Sequence, residues 1–133
     1  MPSILIDTGA IRALLDPGDK YHGQAVALFK SLGPADDLLT TWPVITECSF
    51  AIERNRVALW QWIHDSGIEI VDFSIQDLPA MQRLTAPYSD RLVDFADATL
   101  LWLAMRRHRA ASNTWTRAAV RKSTEESRSG LMK

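Results

Sequence analysis

Short apolar runs alternate with stretches of helical spacing along most of the chain. The runs predict buried strands, because each is bounded by turn-forming or polar residues and is too short for a helix. The predicted strands are residues 3–7, 38–41 and 68–71. Elsewhere apolar residues recur every three or four positions, the spacing of one helix face. The predicted helices are residues 10–15, 21–32, 44–52, 57–65, 77–85 and 90–107.

The alternation of strands with helices predicts the fold class and the domain limits. It favours βαβ units, and therefore an α/β fold with a central parallel sheet between two layers of helices. Pro43 is expected near the first turn of a helix, and Gly67 is expected at a helix C-terminus. We predict one domain over residues 1–108 and an atypical basic tail over residues 109–133, where the periodic pattern gives way to Ala, Ser, Thr and Arg.

Length, cysteine usage and hydropathy narrow the class of protein. The 133 residues suffice for one domain with its own core. The single cysteine, Cys48, excludes an intramolecular disulfide and fits a reducing cytoplasm. No cationic start is followed by a long apolar segment, so neither a signal peptide nor a membrane partner is expected.

The net charge of −1 hides an uneven distribution. Residues 1–105 carry 14 acids and 7 bases, whereas residues 106–133 carry 2 acids and 8 bases. The basic tail is either a solvated segment or one that binds nucleic acid or an acidic partner. The acidic body is a poor electrostatic match to RNA unless its acids surround divalent cations.

Four carboxylates stand where such cations would be expected. Asp7 ends the first predicted strand, Glu47 follows the second, and Asp94 and Asp97 lie one helical turn apart. Ligand sites of parallel sheets gather at the carboxyl ends of the strands. Carboxylate oxygens are preferred by Mg²⁺ and Mn²⁺, which could activate water for attack on phosphorus.

Each carboxylate also has a purely structural interpretation. Asp7 suits a turn, Asp94 suits the positive end of a helix, and Glu47 suits an ordinary first helical turn. Asp97 is harder to explain in this way, because its neighbours predict a packed helix. Those neighbours are Phe95, Ala96, Ala98 and Leu100.

Three segments around these acids resemble a known family. They are residues 4–10 (ILIDTGA), 39–47 (LTTWPVITE) and 92–98 (LVDFADA). In this order and at these intervals they resemble PIN-domain proteins, and more closely the short VapC-type toxin ribonucleases of VapBC toxin–antitoxin pairs. The resemblance runs from about Ser3 to His108.

The resemblance implies a fold, a reaction and partners. It implies a parallel sheet flanked by helices, an acidic pocket for Mg²⁺ or Mn²⁺, cleavage of RNA phosphodiester bonds, a homodimer, and inhibition by a cognate antitoxin protein. By this resemblance Asp7, Glu47 and Asp97 match the catalytic, metal-binding acids, and Asp94 matches an accessory metal ligand. The Thr8 hydroxyl would support the site.

The chain departs from the family pattern after the last predicted helix. Family members usually continue with a fourth strand that ends in a further acid or polar ligand, and then with a fifth strand. An acid nineteen residues after Asp97 would fall at Thr116, yet residues 109–116 are poor in strand formers. We therefore expect missing or distorted fourth and fifth strands, weakened metal binding, and low or no nuclease activity.

The genetic code suggests one origin for this departure. Codons for residues 113–116 (NTWT), read from the third base of the Asn codon, encode Tyr or His, then Leu, Met or Val, then Asp. One hypothesis is that the chain leaves its ancestral frame near residues 105–110. The other is a divergent tail in which Asn113 or Thr116 substitutes as a ligand.

The sequence is therefore consistent with two functions. The first is a metal-dependent endoribonuclease, the toxin of a toxin–antitoxin pair, with activity reduced by the altered C-terminus. The second is a catalytically inactive PIN-like module that binds an antitoxin or another protein through the helices around Leu14, Phe29 and Phe50.

Overall fold

Three short parallel strands form the central sheet of the part of the chain that the structure describes. The computed structural model describes residues 3–52 and 55–111, with side chains up to residue 108. The strands are β1 (Ser3–Leu5), β2 (Asp37–Thr40) and β3 (Glu69–Ile70), in the spatial order β1-β2-β3. β2 is central, and its Leu39 lies opposite Leu5 on one side and Glu69 on the other.

In the described part of the chain, six α-helices connect and cover these strands. They are α1 (Thr8–Leu15), α2 (His22–Ser31), α3 (Trp42–Ala51), α4 (Arg56–Ser66), α5 (Leu78–Thr85) and α6 (Phe95–Ala111). α1 packs on α2 and α3, whereas α5 packs on α6. None of the helices in residues 3–52 and 55–111 is long and apolar enough to cross a membrane.

Side chains that alternate along β1 divide the core between the two faces of the sheet. Ile4 and Ile6 join one buried cluster, and Leu5, between them, joins the other. This follows from the two-residue period of a strand, whose successive side chains point to opposite faces. Full burial of each such side chain stabilises the fold by about 1.5–3 kcal/mol. The predicted three-layer α/β fold with a parallel sheet is confirmed.

The residues that end or begin helices act as the sequence predicts. Pro43 lies in the first turn of α3, where the missing amide proton is not needed. Gly67 follows α4 in the left-handed region, with φ 72° and ψ 14°. Both predictions are confirmed: Pro43 lies where the chain leaves β2 for α3, and Gly67 lies where it leaves α4 for β3.

The start of α6 differs from the prediction. We predicted a helix from residue 90, but α6 begins at Phe95 because Asp94 occupies the N-cap position and accepts a backbone hydrogen bond from the first turn. The segment in which the fourth and fifth strands are expected to be missing or distorted, with the candidate substitute ligands Asn113 and Thr116, lies outside the described residues. The domain limit at residue 108 stays a prediction.

Candidate metal-binding active site

Asp7 lies where the chain leaves β1 and enters α1. It is the N-cap of α1, and its carboxylate oxygen Oδ1 accepts a hydrogen bond from the amide of Ala10 at 2.9 Å. The residue is only 8% exposed. A buried carboxylate is stabilised by the unpaired amides and the positive end of a helix, so α1 holds Asp7 in a fixed orientation.

Asp94 and Asp97 lie at the start of α6 in the same kind of arrangement. The Asp94 carboxylate accepts a hydrogen bond from the amide of Asp97 at 2.8 Å. Asp94 is exposed and Asp97 is partly buried. The predicted spacing of one turn is therefore realised, but as an N-cap and the third residue of the helix rather than as two residues within it.

Glu47 lies in the second turn of α3 and faces the start of α6. Its pKa is raised to about 7, first by burial and then by the negative charges of Asp94 and Asp97. A hydrogen bond with Thr8 opposes the shift, and a carboxyl–carboxyl hydrogen bond with Asp94 adds to it. The structure thus brings Glu47, Asp94 and Asp97 within electrostatic reach, with Thr8 beside them.

Cys48 is close enough to both Glu47 and Asp7 for their charges to act on its thiol. Burial raises the pKa of its thiol to about 12, and the charges of Glu47 and Asp7 act in the same direction. The thiol is fully buried and donates to the main-chain carbonyl of Thr8 at 3.9 Å. Cys48 is therefore a small core residue and is unsuited to act as a nucleophile.

The donor set suits a hard divalent cation, but it is not a tight cage. Within the residues that the structure describes, no three His, Cys, Asp or Glu side chains converge closely enough to enclose a metal ion. Mg²⁺ needs no such cage, since proteins usually hold it through one or two carboxylates while it keeps several waters. The residues present fit such a cation by their oxygen chemistry and by the repulsion from Asp94 and Asp97, which adds to burial in raising the pKa of Glu47.

Residues 4–112 match the family model of the PIN domain. The chain belongs to the PIN-domain family. A solved structure with the same fold is the Mycobacterium tuberculosis protein VapC20, described as a sarcin–ricin loop cleaving toxin. The TM-score is 0.68 at 21% identity, and the match covers 78% of this PIN-domain chain and 82% of VapC20. No curated protein matches the sequence. The resemblance to the PIN family, and to VapC proteins in fold, is confirmed.

The purely structural roles predicted for the four acids agree only in part with their positions in this PIN domain. Those of Asp7 and Asp94 hold in part, because both cap helices. That of Glu47 is wrong, because α3 begins at Trp42 and has no acid in its first turn. The packing predicted around Asp97 is present except at Phe95, which is 53% exposed.

The sequence-based reasoning missed three buried threonines, two where β2 ends and one in α6. Thr40, Thr41 and Thr99 are fully buried and hydrogen-bonded through their side chains. The available signal was a polar residue inside an apolar segment, as Thr99 is within residues 95–104 (FADATLLWLA). Buried hydroxyls need partners, so their positions mark contacts between elements.

Proposed function

We propose that this PIN-domain protein is a metal-dependent endoribonuclease that hydrolyses RNA phosphodiester bonds, and that it is the toxin of a toxin–antitoxin pair. The observation that carries the proposal is the proximity of Glu47 to Asp94 and Asp97, whose charges add to burial in raising the pKa of Glu47 to about 7. Carboxylates collected at one end of a sheet repel one another unless a cation lies between them. Mg²⁺ and Mn²⁺ are the cations that carboxylate oxygens favour.

In the proposed site, Asp7, Glu47 and Asp97 hold the cation and Asp94 is an accessory ligand. When bound, the cation supplies the charge that activates water and stabilises negative charge on the phosphate. The backbone amides of Ala10 and Asp97 donate the hydrogen bonds that orient the carboxylates of Asp7 and Asp94 without a cation. Glu47 is partly protonated near neutral pH, so it would release a proton on binding.

The proposed partners are RNA, a cognate antitoxin and a second copy of the chain, in the cytoplasm. The family match and the VapC-like fold support them. The proposal includes low activity, because residues 109–133 offer no acid at the position where the family pattern ends its fourth strand.

The test combines a Mn²⁺ titration with an RNA cleavage assay. VapC20 is described as cleaving the sarcin–ricin loop, so RNA of that loop is a rational first substrate, alongside total RNA. Asp7→Asn and Asp97→Asn remove one charge each, and asparagine at position 7 can still cap α1. Asp65→Asn is the matched control, because Asp65 is an exposed acid on α4 whose partners are His64 and Gln61.

The expected result is Mn²⁺ binding that weakens in Asp7→Asn and Asp97→Asn and persists in Asp65→Asn, with weak cleavage that follows the same order. Brisk Mg²⁺-dependent cleavage lost in Asp7→Asn would support the ribonuclease and overturn the reduced activity. Absence of Mn²⁺ binding by the unmodified protein would overturn the metal site.

A second candidate is the inactive binding module. The observation that favours it is Phe50, which lies one turn after Glu47 on α3 and is 69% exposed, so that its ring is accessible to a partner. Capture of an antitoxin without any cleavage, together with loss of capture in Phe50→Ser, would favour the module over the enzyme.

A further inference from the structure

We infer that the adjacent residues Thr40 and Thr41, with Thr99, are positioning residues that hold Asp7 and Asp97 in place. The inference goes beyond the proposed function, although its metal-binding readout rests on it. All three threonines are completely buried, and none of them belongs to the proposed set of metal ligands. Their side-chain hydrogen bonds lead to the peptide groups that precede two of those acids.

Thr40 fixes the peptide group before Asp7. β1 and β2 remain paired as far as the bond from the amide of Ile6 to the carbonyl of Leu39, at 2.9 Å. The next main-chain acceptor, just after β1, is the carbonyl of Ile6, and the hydroxyl of Thr40 donates to it at 2.8 Å. A side chain thus extends the pairing of the two strands to the residue that adjoins Asp7.

Thr41 fixes the peptide group before Asp97 through Thr99. The hydroxyl of Thr99 donates to the carbonyl of Ala96 at 2.7 Å, and the hydroxyls of Thr41 and Thr99 are 2.7 Å apart. A hydroxyl has one proton, so Thr99, having given its own to Ala96, must accept from Thr41. The direction of the chain is therefore Thr41 to Thr99 to Ala96.

The position of Thr41 at the start of α3 strengthens this interpretation. Thr41 is the N-cap residue of α3, yet its side chain makes no capping hydrogen bond. A threonine cap usually stabilises a helix by about 1 kcal/mol. Here the hydroxyl instead bonds to α6, so the start of the helix that carries Glu47 is tied to the start of the helix that carries Asp97. Departures from local preference of this kind concentrate at functional sites.

A double variant, Thr41→Val with Thr99→Val, tests the inference. Valine keeps the shape of threonine, and removal of both hydroxyls leaves neither one unpaired, so folding stability should change little. Outer contacts of metal ligands usually matter 10–100-fold for metal affinity, so we expect the Mn²⁺ affinity to fall about tenfold or more. Thr41→Ser with Thr99→Ser keeps both hydroxyls and should restore the affinity.

Thr85→Val is the matched control. Its hydroxyl donates to the carbonyls of Met81 and Gln82, both within α5. It should leave the Mn²⁺ affinity unchanged whatever its effect on the melting temperature. If the double variant does not fold, Thr41→Val alone serves, because it leaves the bond from Thr99 to Ala96 in place.

Hydrogen exchange supplies a readout that needs no metal. In the double variant the amides of the first turn of α6 should exchange faster, while those of α5 keep the protection of the unmodified protein. Unchanged exchange at Asp97 and Ala98, or a Mn²⁺ affinity within twofold of the unmodified protein, would overturn the inference. If the unmodified protein binds no Mn²⁺, the proposed function fails, and the exchange measurement alone decides the role of the threonines.

Discussion

The carboxylate of Asp94 accepts a hydrogen bond from the amide of Asp97 at 2.8 Å, so one proposed metal ligand caps the helix that carries another. The cap and the charge of Asp94 can be separated by substitution. Asparagine caps helices as well as aspartate does, whereas alanine does not. The two substitutions therefore give different predictions.

Asp94→Asn should leave the free energy of unfolding nearly unchanged, and Asp94→Ala should lower it by roughly 0.5–2 kcal/mol. Both should weaken Mn²⁺ binding, because both remove a charge beside Glu47. Urea denaturation and a Mn²⁺ titration measure the two effects. Unaltered Mn²⁺ affinity in Asp94→Asn would mean that Asp94 is only a helix cap.

The raised pKa of Glu47 predicts how stability depends on pH when no metal is present. Between its ordinary value of 4.5 and about 7, the folded protein binds more protons at Glu47 than the unfolded chain does. Raising the pH through this window therefore favours the unfolded chain, and the stabilising contribution of Glu47 is fully present only below it. The sign is the opposite of that for a carboxylate held in a salt bridge.

Glu47→Gln should remove this dependence. In a chelator, the variant should gain stability relative to the unmodified protein as the pH rises from 4.5 to above 7. Glu69→Gln, at an exposed glutamate of β3 that pairs with Arg107, is the control and should not reproduce the gain. Chemical denaturation at several pH values measures the difference, and parallel curves for the protein and Glu47→Gln would contradict the assignment.

The sequence predicted the elements of this fold better than the contacts between them. A short apolar run predicted β2 to within one residue, and Gly67 was predicted at a helix C-terminus, because both signals are local properties of the chain. The apolar pattern misplaced the start of α6, because apolar spacing does not identify which polar residue occupies the N-cap position. The bridge from Thr41 to Thr99 spans 58 residues, and nothing local distinguishes it from two ordinary threonines.

Burial predicts that Cys48 is chemically inert in the folded protein. The side chain is fully buried and the pKa of the thiol is raised to about 12, so little thiolate is present near neutral pH. Reaction with a thiol-specific disulfide reagent at pH 8 should be orders of magnitude slower than after denaturation. Thr46→Cys in a Cys48→Ala background places a thiol on the exposed side of α3 and should react at once; equal rates for the two proteins would contradict the burial.

Gly67 predicts a cost that depends on backbone conformation alone. Its φ of 72° disfavours any residue with a Cβ, although no atom lies within 4 Å of the position that a Cβ would take. Gly67→Ala should therefore lower the free energy of unfolding by about 1–2 kcal/mol, and Gly67→Asn should cost less, because asparagine tolerates this region. Gly23→Ala is the control, since Gly23 has equally open surroundings within α2 and no positive φ. Urea denaturation of the three variants measures the difference. An equal effect of alanine at positions 23 and 67 would show that glycine is not needed at position 67 for the left-handed conformation after α4.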